Sequence, residues 1–208
     1  LNHAVELVYG AVLVVVAIEF DVSVAALGLL GTAASISYAV AALPAGATAD
    51  RLGSQRTVAL SMAGAGAAAA LAAVAPNVTI LGVALVLMGL LGGMYHPAGL
   101  SFISRSVRQR ARALGVHGAA GNLGTALAPL GAGALAGIWS WRGAFLVFAV
   151  LSLTISVLAS RSSIGAESQG QDVPKPHLRA TTLLLPLALM FVINACFGFI
   201  FRGLTLFL

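Results

Sequence analysis

Charge is scarce in this chain: only 8% of its 208 residues are Asp, Glu, Lys or Arg, where ordinary soluble domains carry roughly 25%. Eleven basic and 6 acidic side chains cannot wet the surface of a soluble protein of this size. That shortage excludes a disordered tail, a nucleic-acid-binding module and almost every soluble enzyme. Cysteine is nearly absent too. The single Cys196 excludes an intramolecular disulfide and a thiolate metal cluster. Lysine occurs once, as Lys175. What is abundant is apolar: 60% of the residues are hydrophobic and the mean hydropathy is +1.02. Lipid must therefore be the solvent for most side chains.

A bilayer span needs roughly 20 apolar residues, and seven apolar runs can be marked, over 1–17, 24–47, 57–75, 78–103, 113–138, 143–159 and 181–206. This predicts an all-α polytopic membrane bundle. Only the connection at 160–180 is long. Its Ser, Gly, Gln, Pro and charged residues read as a flexible linker. The expected organisation is a six-helix bundle over 1–160, a linker over 161–180 and a seventh helix over 181–208. Both chain ends fall inside apolar runs, so a piece of a longer protein is expected.

The position of each charge decides its meaning. With the N-terminus taken as cytoplasmic, Arg51, Arg56, Arg105, Arg108, Arg110, Arg112, Arg161, Lys175 and Arg179 share one side of the membrane. Arg142 and Arg202 fall on the other, with Glu19 and Asp21. This asymmetry follows the positive-inside rule. It places the N-terminus and the 161–180 linker in the cytoplasm and removes any need for a nucleic-acid partner. Trp139 and Trp141 fall in a short connection, where interfacial aromatics are expected.

Small residues fill the spans. Ser61-Met62-Ala63-Gly64-Ala65-Gly66 in the third run, and Gly115, Gly118, Gly121 and Gly124 in the fifth, form stripes that let helix backbones approach in lipid. The segment Leu43-Pro44-Ala45-Gly46-Ala47 is echoed by Ala128-Pro129-Leu130-Gly131-Ala132. Each lies on the middle helix of a three-helix group, and the two groups run in opposite directions. Inverted three-helix repeats of this kind occur in transporters.

The second connection, with its flanks, carries Gly46, Asp50, Arg51, Gly53 and Arg56. Gly46 is expected to permit close packing, Gly53 a tight turn, and Asp50 to approach a helix N-terminus. This frame resembles the signature between helices two and three of the major facilitator superfamily. There the loop acts as a conformational latch against the C-terminal half. Ser54 and Gln55 stand at two of the usual basic positions. The fifth run, with Gly115, Gly124, Ala128, Pro129, Ala132 and Gly133, is similar to the superfamily's helix-five glycine–proline pattern, which is associated with antiporters. His96-Pro97, the arginines after it and Trp141-Arg142-Gly143 look like bacterial drug-resistance and fosmidomycin-resistance-type exporters. The usual fourth-helix arginine is replaced by Leu85.

The resemblance implies an inner-membrane bundle of six N-terminal helices, the first helix of a C-terminal bundle, and a missing C-terminal half as partner. It implies secondary transport of a small organic molecule and a central cavity lined by the first, fourth and seventh helices. Ionisable groups inside spans are functional candidates by default. Glu6, with His3 and Asn2 beside it, is the acid well inside a span and a candidate for reversible protonation. Tyr95 and His96, and Asn194 and Arg202, are the candidates on the fourth and seventh helices, with His117 and Asn122 secondary on the fifth. Structural alternatives stay open: Glu6 pairing with His3, the histidines as packing residues, Arg202 snorkelling outward.

Proton-coupled efflux is the expected function, and symport uptake of an organic anion or nutrient the alternative. No cofactor, catalytic residue or metal site is expected. A retinal-type receptor would need a lysine in its last helix, and Lys175 lies in the linker. An intramembrane serine protease would need a glycine after Ser101, where Phe102 stands.

Overall fold

The computed structural model describes residues 2–162, apart from the side chains of His3 and Ala4, and beyond them only Leu185, Ala188, Leu189 and Val192. The chain divides into two compact units, Leu1–Gly170 and Gln171–Leu208. Among the described residues the first holds seven helices: α1 (Asn2–Phe20), α2 (Val24–Leu52), α3 (Ser54–Ala73), α4 (Val78–Gly92), α5 (Tyr95–Ser106), α6 (Arg110–Ile138) and α7 (Trp141–Arg161). No strand occurs among the described residues. Val24–Leu52, Ser54–Ala73, Val78–Ser106 and Trp141–Arg161 are each long and apolar enough to cross a membrane.

The helices begin where the sequence supplies caps. Ser23, Asn77 and Ser140 accept hydrogen bonds from the backbone N–H groups of Ala26, Ile80 and Gly143 at 3.1, 2.9 and 3.0 Å. Each thereby satisfies a donor left open by the first helical turn. At the other end of α2 the connection is shorter than expected. The helix runs on through Asp50 and Arg51 to Leu52, and Gly53 alone, at φ +88°, turns the chain into α3. A side chain there would be strained, which is why glycine occupies the turn.

The fourth apolar run is one span but two helices. Pro97 has no N–H to give the carbonyl of Gly93, and α4 closes where the Gly93 N–H bonds Gly89 O at 2.9 Å. The chain then restarts as α5 at Tyr95.

Packing follows the small residues, though not at every expected glycine. α3 packs most extensively on α7 and α2 on α4, with α3–α4 and α1–α6 contacts next. A methyl group on Gly66 would lie 3.1 Å from the carbonyl oxygen of Ala149, and one on Gly89 would lie 2.2 Å from that of Ala34. These are the places where backbones meet. Gly46, Gly115 and Gly118 have nothing within 4 Å of such a methyl, so they do not mediate close packing. In the fifth-run pattern it is Ala128 and Ala132 that are buried, at 4% and 0% exposure. Gly133 is exposed and Gly124 half-buried.

Val5, Val8, Val12 and Val16 recur at three- and four-residue steps on α1 and are fully buried in one core with Ala128, Ala132 and Phe145. Serine hydroxyls bridge between helices: Ser152 to Met62 O at 2.8 Å, Ser156 to Ala59 O and Ser61 to Leu91 O, both at 2.6 Å.

The turns sort the charges. Arg51, Arg56, Arg105, Arg108, Arg110, Arg112 and Arg161 lie at the end of the bundle that carries the Gly53 turn, and Arg142 lies at the opposite end. α2 and α6, which carry the two proline-centred echoes, run in opposite directions between these ends.

Candidate functional site

Asn2 and Glu6 sit one turn apart on α1, and Asn2 Nδ2 donates to Glu6 Oε1 at 3.0 Å and to the hydroxyl of Tyr38 at 3.4 Å. Tyr38 comes from α2, so the group joins two helices. Asn2 is 3% exposed and its Oδ1 has no hydrogen-bond partner. Both oxygens face Gly92 at the end of α4: a methyl group there would stand 3.3 Å from Asn2 Oδ1 and 3.6 Å from Glu6 Oε1.

Tyr38 also connects to the break between α4 and α5. Its ring meets His96 edge-on, with centroids 6.5 Å apart. His96 in turn contacts Tyr95 at 5.4 Å and His117 at 6.4 Å, while Tyr95 stacks on His117 at 6.0 Å. Asn2, Glu6, Tyr38, Tyr95, His96 and His117 thus form one chain of polar and aromatic groups from α1, α2, α5 and α6. Gly93 makes this possible. A methyl group there would lie 2.3 Å from the carbonyl oxygen of Tyr38, so any side chain would force α2, and with it Tyr38, away from α5.

The structure therefore brings together five of the residues expected from sequence and adds Tyr38. That residue shares a helical face with Ala34, Ala41 and Ala45, the last two buried, a placement that only the fold reveals. Asn122 lies exposed on α6 and does not join the group. The side chain of His3, with Asn194 and Arg202, falls outside the described residues.

At the arginine-rich end, Asp50 sits in the last turn of α2, four residues before α3 begins at Ser54. It accepts from Arg105 Nη2 at 2.8 Å, an exposed ion pair tying α2 to α5. Gln55 stands where the superfamily usually has a basic residue. It donates instead to the carbonyl oxygens of Ala159 and Ser162, at 2.7 and 2.5 Å, fastening α3 to the end of α7. Arg51 and Arg56 are exposed.

The opposite end holds a clamp. Glu19 accepts from the indole N–H of Trp141 and from Arg142, and Arg142 also donates to Ala75 O at 3.0 Å. The guanidinium of Arg142 lies 4.2 Å from the Trp141 ring centre. Trp141 is consequently not an interfacial belt residue. At 1% exposure it is buried between Phe20 and Phe145, and only Trp139 is exposed. Glu19 lies in the last turn of α1, past the apolar run that ends at residue 17. The Trp141 hydrogen bond, with Arg142 beside it, holds its carboxyl below the usual range despite some burial.

Among the described residues no three His, Cys, Asp or Glu side chains converge as a metal site. An apolar groove between the first half of α2 and α4, lined by Val22, Ala26, Leu30, Val78, Gly82 and Val83, is separate from the polar group.

The chain is similar to known proteins over part of its length. Over 130 residues, 61% of this chain, it is 33% identical to the multidrug efflux pump LfrA of Mycolicibacterium smegmatis, of which the match covers 26%. It is 27% identical over 141 residues, 67% of this chain, to a probable L-galactonate transporter of Escherichia coli, of which 31% is covered. It is 34% identical over 118 residues, 56% of this chain, to a multidrug resistance protein B homolog of Mycobacterium tuberculosis, of which 22% is covered. The chain thus spans less than a third of the length of these curated relatives. The Major Facilitator Superfamily profile matches it throughout, over residues 1–208. The chain belongs to the major facilitator superfamily, a family of membrane transporters.

Proposed function

We propose that this chain is part of a secondary active transporter that exports a small organic molecule in exchange for protons, by alternating access. The observation that carries the proposal is Glu6. It is an acid on a helix whose core face is mostly valine, hydrogen-bonded to Asn2 and half-buried among groups from α2 and α4. Ionisable groups in such positions are costly and mark ion or substrate pathways. The relatives named as efflux and resistance proteins support the direction.

In this reading the arginine-rich end faces the cytoplasm and the bundle belongs to the inner membrane. The Asp50–Arg105 pair lies in the latch region. A second six-helix half completes the cavity against the apolar, exposed side of α6, where Val116, Leu123, Leu127 and Leu130 are 64, 59, 54 and 70% exposed. The long connection at 161–180 serves as the linker, and Asn194 and Arg202 on the seventh helix join the substrate cavity.

The test is flux through the full-length protein in proteoliposomes under an imposed pH gradient. Glu6→Gln is expected to abolish proton-coupled flux while leaving the fold intact, and unchanged coupling would remove Glu6 from the mechanism. The relative named a probable L-galactonate transporter favours a second reading, uptake of an organic anion by symport. Accumulation of a sugar acid driven by an inward proton gradient would select it.

A further inference from the structure

We propose that the apolar groove between α2 and α4 seats one acyl chain of a phospholipid, and that Asp21 beside its mouth selects a lipid with a primary-amine headgroup. The inference depends on these helices crossing a bilayer, and on nothing about substrate, coupling or direction of transport.

The groove itself is the first ground. It encloses about 540 Å3, with Ala26 and Leu30 of α2 on one wall and Val78, Val83 and Leu87 of α4 on the other. Gly82 is buried between them, and a methyl group there would stand 3.0 Å from Leu30 Cδ2. Ala26, Val83 and Leu87 are exposed, so the groove is open rather than enclosed. An apolar surface with no atoms against it forfeits its dispersion contacts, and inside a bilayer the atoms at hand are those of acyl chains. The dimensions fit one chain of one leaflet. Both α2 and α4 start at the end of the bundle opposite the arginine-rich end and run in the same direction. The lining from Val78 to Leu87 extends about 13 Å at 1.5 Å per residue. Half of the hydrocarbon core is about 15 Å deep. The groove therefore follows an acyl chain from the interface toward the midplane, and it is too short to seat a membrane-crossing helix along its full length.

Charge at the mouth is the second ground, and it decides which lipid. Asp21 immediately precedes Val22, a lining residue, in the turn between α1 and α2. It is exposed, and among the described residues it forms no ion pair. Arg142, the described arginine at this end, is held by Glu19 and by Ala75 O. A carboxylate beside a lipid seat favours a cationic headgroup and repels an anionic one. A primary ammonium donates charge-assisted hydrogen bonds to it, which a quaternary ammonium cannot do. Thr79 is the polar side chain of the lining and lies exposed in the first turn of α4. Its hydroxyl suits a lipid ester or phosphate oxygen at the same level.

The experiment uses the full-length protein, freed of other cysteines, with Val83→Cys labelled by the fluorophore bimane and reconstituted in bilayers. Phospholipids with brominated acyl chains quench the label on contact, so the quenching compares headgroups at the groove. Brominated phosphatidylethanolamine is expected to outcompete brominated phosphatidylcholine and phosphatidylglycerol by about threefold, the size of one exposed ion pair. The same label on Leu146→Cys, exposed on α7, is expected to show no preference. Asp21→Asn should bring the ratio at Val83→Cys to one while every lipid still quenches. Ala26→Phe places a ring in the groove from an exposed position, so the fold is expected to stand while quenching falls for all lipids and the preference disappears. Equal quenching by the three headgroups, or a preference for phosphatidylglycerol, would overturn the proposal. So would a preference that survives Asp21→Asn or Ala26→Phe, and so would a label that no lipid reaches, which would mean that protein covers the groove. None of these outcomes bears on proton-coupled flux, so the proposed function stands or falls separately.

Discussion

Trp141 and Glu19 are separated by 122 positions in sequence yet share a hydrogen bond, and at the residue scale their contact is the most consequential one outside the candidate site. Trp141→Phe keeps the aromatic packing against Phe20 and Phe145 and removes only the indole N–H. The expected cost is on the order of 1 kcal/mol for one charge-assisted bond at a partly exposed acid. A double-mutant cycle with Glu19→Gln, read by thermal unfolding in detergent, should show the two changes to be non-additive. The carboxyl of Glu19 is held below its ordinary range, so its contribution is present above the unfolded-state pKa and is lost as pH falls through the folded-state one. Melting curves taken across the acidic range should show a fall in stability that Glu19→Gln no longer shows. By contrast, Asp50 and Arg105 are 66% and 60% exposed, and Asp50→Ala should change stability by less than about 1 kcal/mol.

Helices explain both what was legible in the sequence and what was not. The small-residue run from Ser61 to Ala70 announced a helix that others approach closely, and Gly66 is such a point. The glycine steps at Gly115 and Gly118 read identically, yet open space surrounds them. Periodicity shows where a side chain is missing but not whether a neighbouring backbone occupies the gap. Gly89 and Gly93 were equally unremarked, and they set the α2–α4 crossing and the place of Tyr38. A paired substitution separates the cases. Gly89→Ala drives a methyl group into the Ala34 carbonyl and should destabilise by about 1–3 kcal/mol. Gly115→Ala meets nothing and should stabilise by up to about 1 kcal/mol through helix propensity. Equal melting temperatures for the two variants would contradict the packing described.

Over the whole molecule, the distribution of a few charges was the most legible feature, because a helix that crosses the bundle must deliver its connections to alternate ends. Seven described arginines gather at one end accordingly. Arg108→Cys and Trp139→Cys, each in a background with Cys196 replaced, should react with impermeant thiol reagents from opposite sides of the membrane, Arg108→Cys from the cytoplasm. The candidate site was legible as a set of ionisable residues on the first and fourth spans. Tyr38 was hidden because a tyrosine in an apolar helix has no distinguishing pattern until its facing helix is known. The break after Gly92 was hidden because an unbroken hydropathy run does not reveal that Pro97 leaves a carbonyl without its donor.

The proposed alternating access makes the most exposed claim, since it requires one group of residues to open to each side of the membrane in turn. His117 stacks on Tyr95 within that group, and the deciding measurement is the reactivity of His117→Cys in the full-length protein reconstituted in vesicles. Impermeant thiol reagents should reach it from both sides, with one rate rising as the other falls when a pH gradient is imposed. Reaction from a single side whatever the gradient, or from neither, would contradict the account.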